Sequence, residues 1–261
     1  MLRSDSILET GIDGAALKPA ECDVSRGSGL PFDTVVIDYE GREHLPERET
    51  LESLADGREL RLTTPVRADG FDPLGDDSLA DRIPADVRRV LVAGHATYLD
   101  GAERSRAVAP RLGAALEGAP DAWIGTEGVE RIALATGAAQ FELLGRSTKR
   151  DLRALRAAGF GGEIAVYAPT VLTDDADAVL DAIGAYVARR RPVARALPRD
   201  APTDAVAEGR AREVLLAAAG DFALVGTPGE IREQVDGLRE AGADTIVGYP
   251  ARGIEAFLDR D

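Results

Sequence analysis

Eight short, predominantly apolar runs, spaced by stretches of helical character, restrict this chain more than any other feature. The runs are Gly14–Leu17, Thr34–Asp38, Glu59–Thr63, Arg89–Ala93, Ala122–Gly125, Gln140–Leu144, Glu163–Tyr167 and Asp244–Val247. A strand that faces water on one side alternates apolar and polar residues, whereas continuous runs belong to strands covered on both faces, as in parallel sheets. Parallel neighbours need long crossovers, usually helical. The intervening stretches supply them: Glu47–Ala55, Glu103–Leu116, Glu127–Ala135, Thr148–Ala158, Asp174–Arg190, Thr203–Ala219 and Thr227–Ala241. Eight strands alternating with helices predict an α/β protein of the (β/α)8 TIM-barrel class, with an open doubly wound sheet as the competing arrangement. At 261 residues the chain suits one barrel domain over 1–261.

Charge and composition narrow the partners. The formal net charge is -15, so nucleic acid and anionic membrane surfaces are disfavoured by repulsion. Arginine supplies nearly all the positive charge, since the only lysines are Lys18 and Lys149. Abundant carboxylates with so little lysine suit a high-salt cytoplasm, where screening removes the self-repulsion, and point to a halophile. The single cysteine, Cys22, excludes an intramolecular disulfide and a cysteine metal cluster. No apolar run approaches the ~20 residues of a membrane helix, and Met1–Ile7 lacks the basic and apolar regions of a signal peptide. A cytoplasmic protein with a small-molecule substrate is expected, with a homodimer left open.

Two segments are irregular: the acidic Arg67–Pro84 and the Pro- and Arg-rich Arg191–Asp204. Loops of this length in a compact domain are usually functional or disordered. The best-determined helix start is Thr227-Pro228-Gly229-Glu230, a capping box with proline at the first helical position, and Gly242 is placed to end that helix in the left-handed conformation.

In a barrel, chemistry collects at the carboxyl ends of the strands. Those ends carry Lys18 and Glu21, Asp38 and Glu40, Thr64, Arg67 and Asp69, His95, Thr126 and Glu127, Tyr167, and Tyr249 and Arg252. Lys18, Asp38, Arg67 and His95 follow consecutive strands and are expected to face one cavity. His95 suits a general acid or base, or a satisfied rim residue. Lys18 also suits a Schiff base if buried. His44 and His95 stand apart with no His-x-His pair, and carboxylate spacing means little in so acidic a chain, so no metal is expected. Ala122–Gly145 reads as strand, turn, helix and strand. Its turn, Gly125-Thr126-Glu127-Gly128, would offer amide groups and a helix dipole to a phosphate, with Gly125 and Gly128 allowing close approach and Thr126 donating its hydroxyl. Plain helix capping by Thr126 is the alternative.

From Ala122 onward the sequence resembles the bacterial-luciferase-like family of flavin- or deazaflavin-dependent oxidoreductases. The likeness rests on Ile124-Gly125, Leu134-Ala135-Thr136-Gly137, Ala139-Gln140-Phe141 in the place of the usual Ala-Asp-Gly, Glu163–Tyr167, Ala185–Arg189, Leu224–Glu230 and Ala241–Val247. The resemblance implies a luciferase-like barrel with hydride-transfer or monooxygenase chemistry on FMN or the deazaflavin coenzyme F-420. The ring would lie over the barrel mouth beside Tyr167, with its phosphate on Gly125, Thr126 and Gly128. His95, Lys18 and Arg67 are then the candidate catalytic residues. The rival reading is a non-redox barrel, either a lyase or isomerase using Lys18 and His95 or a silent small-molecule-binding protein.

Overall fold

The computed structural model describes residues 7–258; apart from Ile7, the segment considered above for a signal peptide lies outside them. Nine strands form one parallel sheet: β1 (Gly14–Leu17), β2 (Thr34–Ile37), β3 (Glu59–Pro65), β4 (Arg88–Val92), β5 (Trp123–Gly125), β6 (Gln140–Leu143), β7 (Ile164–Val171), β8 (Leu224–Val225) and β9 (Thr245–Pro250). β1 to β7 pair in sequence order, β7 pairs with β9 and β9 with β1, so eight strands close into a barrel. All eight expected runs are the barrel strands. The short β8 lies outside the ring, paired to the end of β7 through Thr170 and Val171.

The helices are α1 (Arg48–Ala55), α2 (Gly101–Ser105), α3 (Val108–Gly118), α4 (Glu130–Ala135), α5 (Thr148–Ala157), α6 (Ala176–Ala188), α7 (Arg191–Ala196), α8 (Gly209–Phe222) and α9 (Pro228–Ala241). Most fall where expected. The stretch Glu103–Leu116 is two helices rather than one. Pro110 has no N–H to give to an i−4 carbonyl, so a helix containing it must restart just before it, and α3 starts at Val108. The Arg191–Asp204 connection contains α7, opened by Pro192 in its first turn. α8 begins at Gly209 rather than Thr203, because Asp204 is taken into a turn that accepts the Val206 and Ala207 amides. α9 begins as read, with Thr227 and Glu230 in a reciprocal capping box and Gly242 at φ 118°.

Side chains alternate across each strand, so one set points into the barrel and the other out to the helices. Leu17, Ile37, Leu60, Leu62, Ile164, Val166 and Ile246 point outward and pack with Leu51, Leu54, Ile231, Val235 and Leu238 of α1 and α9. The inward set is Ala16, Val36, Val90, Trp123, Phe141, Ala165 and Val247, with Tyr167 above them. The amino-terminal end of the barrel is plugged by Arg61, which is 2% exposed. Its guanidinium lies 3.7 Å from the Trp123 ring centroid and bonds Glu59 at 2.5 Å. Glu163 accepts from the Trp123 indole at 3.0 Å and from the Thr245 hydroxyl at 2.8 Å. Only the carboxyl end of the barrel is left to receive a ligand.

The acidic segment after β3 is fastened by buried ion pairs. Asp72, 1% exposed, accepts from Arg111 at 2.9 Å and Arg106 at 3.1 Å, and Arg106 also bonds Asp69 at 2.7 Å. Removing one partner of a buried pair leaves charge uncompensated, so Asp72→Ala should cost about 3–5 kcal/mol in equilibrium unfolding.

Between β7 and β9 the chain builds a helical lobe from α6, α7 and α8, packed through Leu180, Val187, Val193, Ala211 and Leu215. Gly184 lets α6 approach the following segment: a Cβ there would stand 1.8 Å from the Thr203 carbonyl oxygen. Gly113 of α3 faces open space instead. The same substitution should therefore have opposite signs. Gly113→Ala should stabilise by about 0.5–1 kcal/mol through helix propensity. Gly184→Ala should lower the thermal midpoint, because backbone cannot yield to the new methyl.

Candidate functional site

Counting by twos along each strand carries the inward set to the barrel mouth. Ala16 is followed by Lys18, Val36 by Asp38, Val90 by Val92, Trp123 by Gly125, Phe141 by Leu143, Ala165 by Tyr167 and Val247 by Tyr249. The mouth is therefore two-sided. β1, β2, β7 and β9 contribute Lys18, Asp38, Tyr167 and Tyr249; β4, β5 and β6 contribute only Val92, Gly125 and Leu143. Gly125 keeps its side small, since a Cβ would stand 2.7 Å from Val92 Cγ1.

The polar side is a connected array. Leu17 and Ile37 are register partners and the Asp38 amide bonds the Leu17 carbonyl at 2.8 Å, which sets Lys18 beside Asp38. The Tyr167 hydroxyl donates to Asp38 Oδ2 at 3.2 Å. The Tyr167 and Tyr249 rings stack at 6.3 Å and 11°. The Lys18 ammonium lies 4.1 Å from the Tyr249 ring centroid and 3.2 Å from Glu21, which also accepts from the Tyr249 hydroxyl. Glu40 accepts the Ala20 amide at 2.8 Å.

Asp38 is the titratable centre of this array. Crowding by protein atoms pushes its carboxyl up to about 7, against the opposing pull of the Lys18 charge and the Tyr167 hydroxyl. Part of its surface stays open to the mouth. Tyr167 and Tyr249 are both pushed above the ordinary phenol range, first by burial, then by the Asp38 charge for Tyr167 and by Glu21 for Tyr249. Both phenols thus serve as hydrogen-bond donors.

The expected site residues are not all brought together. Lys18, Asp38 and Tyr167 share the mouth. Arg67 instead donates to the carbonyls of Ala93 at 2.6 Å, Gly94 at 3.0 Å and Arg104 at 2.9 Å, clamping the chain after β4. His95 is exposed on that same chain segment; its Nδ1 accepts the Thr97 amide at 3.2 Å and its ring lies 6.2 Å from Tyr98. Neither joins the array around Asp38.

The turn after β5 also differs from expectation. α4 starts at Glu130 rather than near Glu127, and no side chain caps it. Thr126 gives its hydroxyl to Glu142 and its amide to the Phe141 carbonyl. The Gly128 amide faces Glu130 Oε1 at 3.2 Å. Glu127 pairs with Arg190 at 3.2 Å, and burial raises the Glu142 carboxyl above its usual range. A phosphate there would meet carboxylates where free amides were expected. Glu21 and Tyr249 stand at the rim in the sequence but are not among its candidate site residues; the period-two count from Val247 is the signal that picks out Tyr249.

A second concavity, of about 570 Å³, lies outside the mouth between α5 and α9, lined by residues including Lys149, Asp174, Gly226 and Glu230. Its carboxylates are exposed, and the Thr227 amide and hydroxyl hold Glu230 below the usual carboxylate range, whereas burial shifts Asp38 and Tyr167 of the mouth upward. The mouth is the candidate site. Among the described residues, no group of three or more His, Cys, Asp or Glu is arranged to hold a metal ion, and no helix is long and apolar enough to cross a membrane.

The solved structures sharing this architecture include an F-420-dependent secondary alcohol dehydrogenase in complex with an F-420–acetone adduct. It aligns with 92% of this chain and 94% of its own at 13% identity and a TM-score of 0.56. The monooxygenase RslO1 from Streptomyces bottropensis aligns with 95% of this chain and 97% of its own at 17% identity and a TM-score of 0.52. The fold is a luciferase-like (β/α)8 barrel. The chain belongs to DUF7388, a family of unknown function, whose model matches residues 7–257. Among curated proteins none is detectably similar in sequence.

The raised Asp38 titration has a stability consequence. Unfolded aspartate ionises near 3.9, while folded Asp38 holds its proton to about 7. Between about pH 4 and 7 the folded state binds more protons than the unfolded, so this group's contribution falls as pH rises and levels above 7. Asp38→Asn keeps the acceptor for Tyr167 and removes the titration. The thermal midpoint of the variant relative to wild type should climb from pH 4 to 7 and then stay constant.

Proposed function

We propose that this protein is a flavin- or deazaflavin-dependent oxidoreductase acting on a small molecule at the barrel mouth, with Asp38 carrying the proton. The observation that supports this reading best is the division of the mouth. A carboxyl that burial pushes up to about 7 stands on one side, and a low apolar surface of Val92, Gly125 and Leu143 lies on the other. The flat ring of FMN or coenzyme F-420 fits the apolar side, with Tyr167 at its edge. The Gly125–Gly128 turn fits its phosphate less well, because Glu130 already faces the Gly128 amide. The fold shared with a dehydrogenase and a monooxygenase supports the same class of chemistry by analogy.

When bound, such a ring accepts or gives an electron pair, which no side chain here can do. The residues of this chain supply the rest. The Tyr167 hydroxyl fixes Asp38 through Oδ2. The one side-chain hydrogen bond of Asp38 among the described residues is through Oδ2, so Oδ1 is left to take or return a substrate proton. A group titrating near the working pH does this in both directions. The Arg61–Trp123 plug closes the far end of the barrel to water.

Titrating FMN and coenzyme F-420 into the purified protein tests the reading. Binding of one of them should shift its visible band and alter the fluorescence of Trp123, the only tryptophan. Asp38→Asn should retain that binding and lose about 10²–10⁴-fold in turnover, and the wild-type rate in the oxidising direction should rise through an apparent pKa near 7. Failure of both cofactors to bind would reject the proposal.

A further inference from the structure

Lys18 has a place in this mouth that its ion pair does not explain. An ammonium carries three donors, and Lys18 spends one, on Glu21 at 3.2 Å. The side chain, 26% exposed, is held over the Tyr249 ring at 4.1 Å. Register sets it beside Asp38, whose Oδ1 is also unspent. Among the described residues, two donors of Lys18 and one acceptor of Asp38 thus remain unspent at adjacent positions on neighbouring strands. Arginine is the usual cation of this chain, yet here a compact ammonium is used; a guanidinium would spread over the ring and point its donors in a fixed plane.

We infer that Lys18 binds the reacting oxygen of the substrate, and that the substrate is an uncharged aldehyde or ketone, or the corresponding alcohol, whose oxygen is shared between the Lys18 ammonium and Asp38 Oδ1. The inference rests on reading the mouth as an oxidoreductase site. In the oxidising direction the alcohol O–H proton passes to Asp38, and the O–H bonding electrons become the second C=O bond. The carbon-bound hydrogen would leave with its electron pair to the two-electron acceptor of the proposed function, a bound flavin- or deazaflavin-type ring. Lys18 keeps its own protons and neutralises the negative charge that develops on oxygen, as donors aimed at a forming oxyanion do. Glu21 and Glu40 flank the position and disfavour a substrate carboxylate there by like-charge repulsion. Lys18 acts here as an ion-paired donor, so the Schiff-base role that sequence alone allowed is the opposing chemistry.

A dye aldehyde tests this without cofactor or turnover. trans-4-(Dimethylamino)cinnamaldehyde absorbs further to the red when its carbonyl oxygen is polarised. Wild-type protein should bind it with a red shift at pH 7. Lys18→Met keeps the aliphatic stem over Tyr249 and removes the donors; it should abolish the shift and weaken binding by about tenfold. Lys18→Arg should restore part of the shift, and 4-(dimethylamino)cinnamate should compete poorly. In the cofactor-free protein, carbon-13 NMR of aspartate side chains should show the Asp38 titration moving upward in Lys18→Met, which loss of packing alone would not produce. No shift with wild type, a shift that survives Lys18→Met, an unmoved Asp38 titration, or a borohydride-trapped adduct on Lys18 would each overturn the inference. Because these measurements need no redox cofactor, failure of the FMN and F-420 titrations would be recognised separately.

Discussion

Everything in this molecule depends on the hydrogen-bonded register of a closed parallel ring. Closure leaves no free edge among the eight barrel strands, and with the ring closed each residue's side is fixed by parity. Ala16, Val36, Ala165 and Val247 face in, and their neighbours face the helices. A slip of one residue in any strand would turn its outward leucines into the barrel and expel its inward set. The contents of the mouth follow from the same parity, two residues further on. Lys18 and Asp38 are neighbours because Ala16 and Val36 are, and Tyr249 reaches Lys18 because β9 closes onto β1.

Arginine does much of the work of holding loops to this ring. Arg61 seals the bottom against Trp123; Arg67 gathers the carbonyls after β4; Arg106 and Arg111 hold Asp72. Arg156 draws together the Phe160, Gly162 and Gly242 carbonyls. A planar fork with five donors can bridge several backbone acceptors at once, which an ammonium cannot match. The high arginine content therefore has a structural use in addition to balancing carboxylates. Against that background Lys18, set among tyrosines and carboxylates at the mouth, stands out by its chemistry.

The mouth and the turn after β5 illustrate opposite uses of acidic groups. Asp38 is crowded and keeps one oxygen unspent, which gives it reach toward a ligand. Glu130 and Glu142 are spent inside the chain, on the Gly128 amide and the Thr126 hydroxyl. Both sites lie at strand ends and both contain polar residues. They differ in whether local hydrogen bonds have already consumed the groups a ligand would use.

By itself, the sequence determined the strands, the barrel and the last helix. Apolar runs report burial on both faces, and the Thr227–Glu230 capping box and Gly242 are local signals that need no distant partner. The rim was legible as a list, because chemistry follows strand ends in this architecture. Only the tertiary structure decided which rim residues meet. Arg67 and Lys18 both follow a barrel strand within a few residues, yet one is consumed by the backbone of the next connection and the other is left with free donors. Pro110 split one expected helix, and the acidic segment 67–84 is held by Arg106 and Arg111, which lie more than thirty residues beyond the Asp69 and Asp72 they bond. Pattern fixes which side a residue faces, since that depends only on its neighbours in the chain. Which hydrogen bonds it spends depends on atoms brought from elsewhere, and those are settled only when the ring closes.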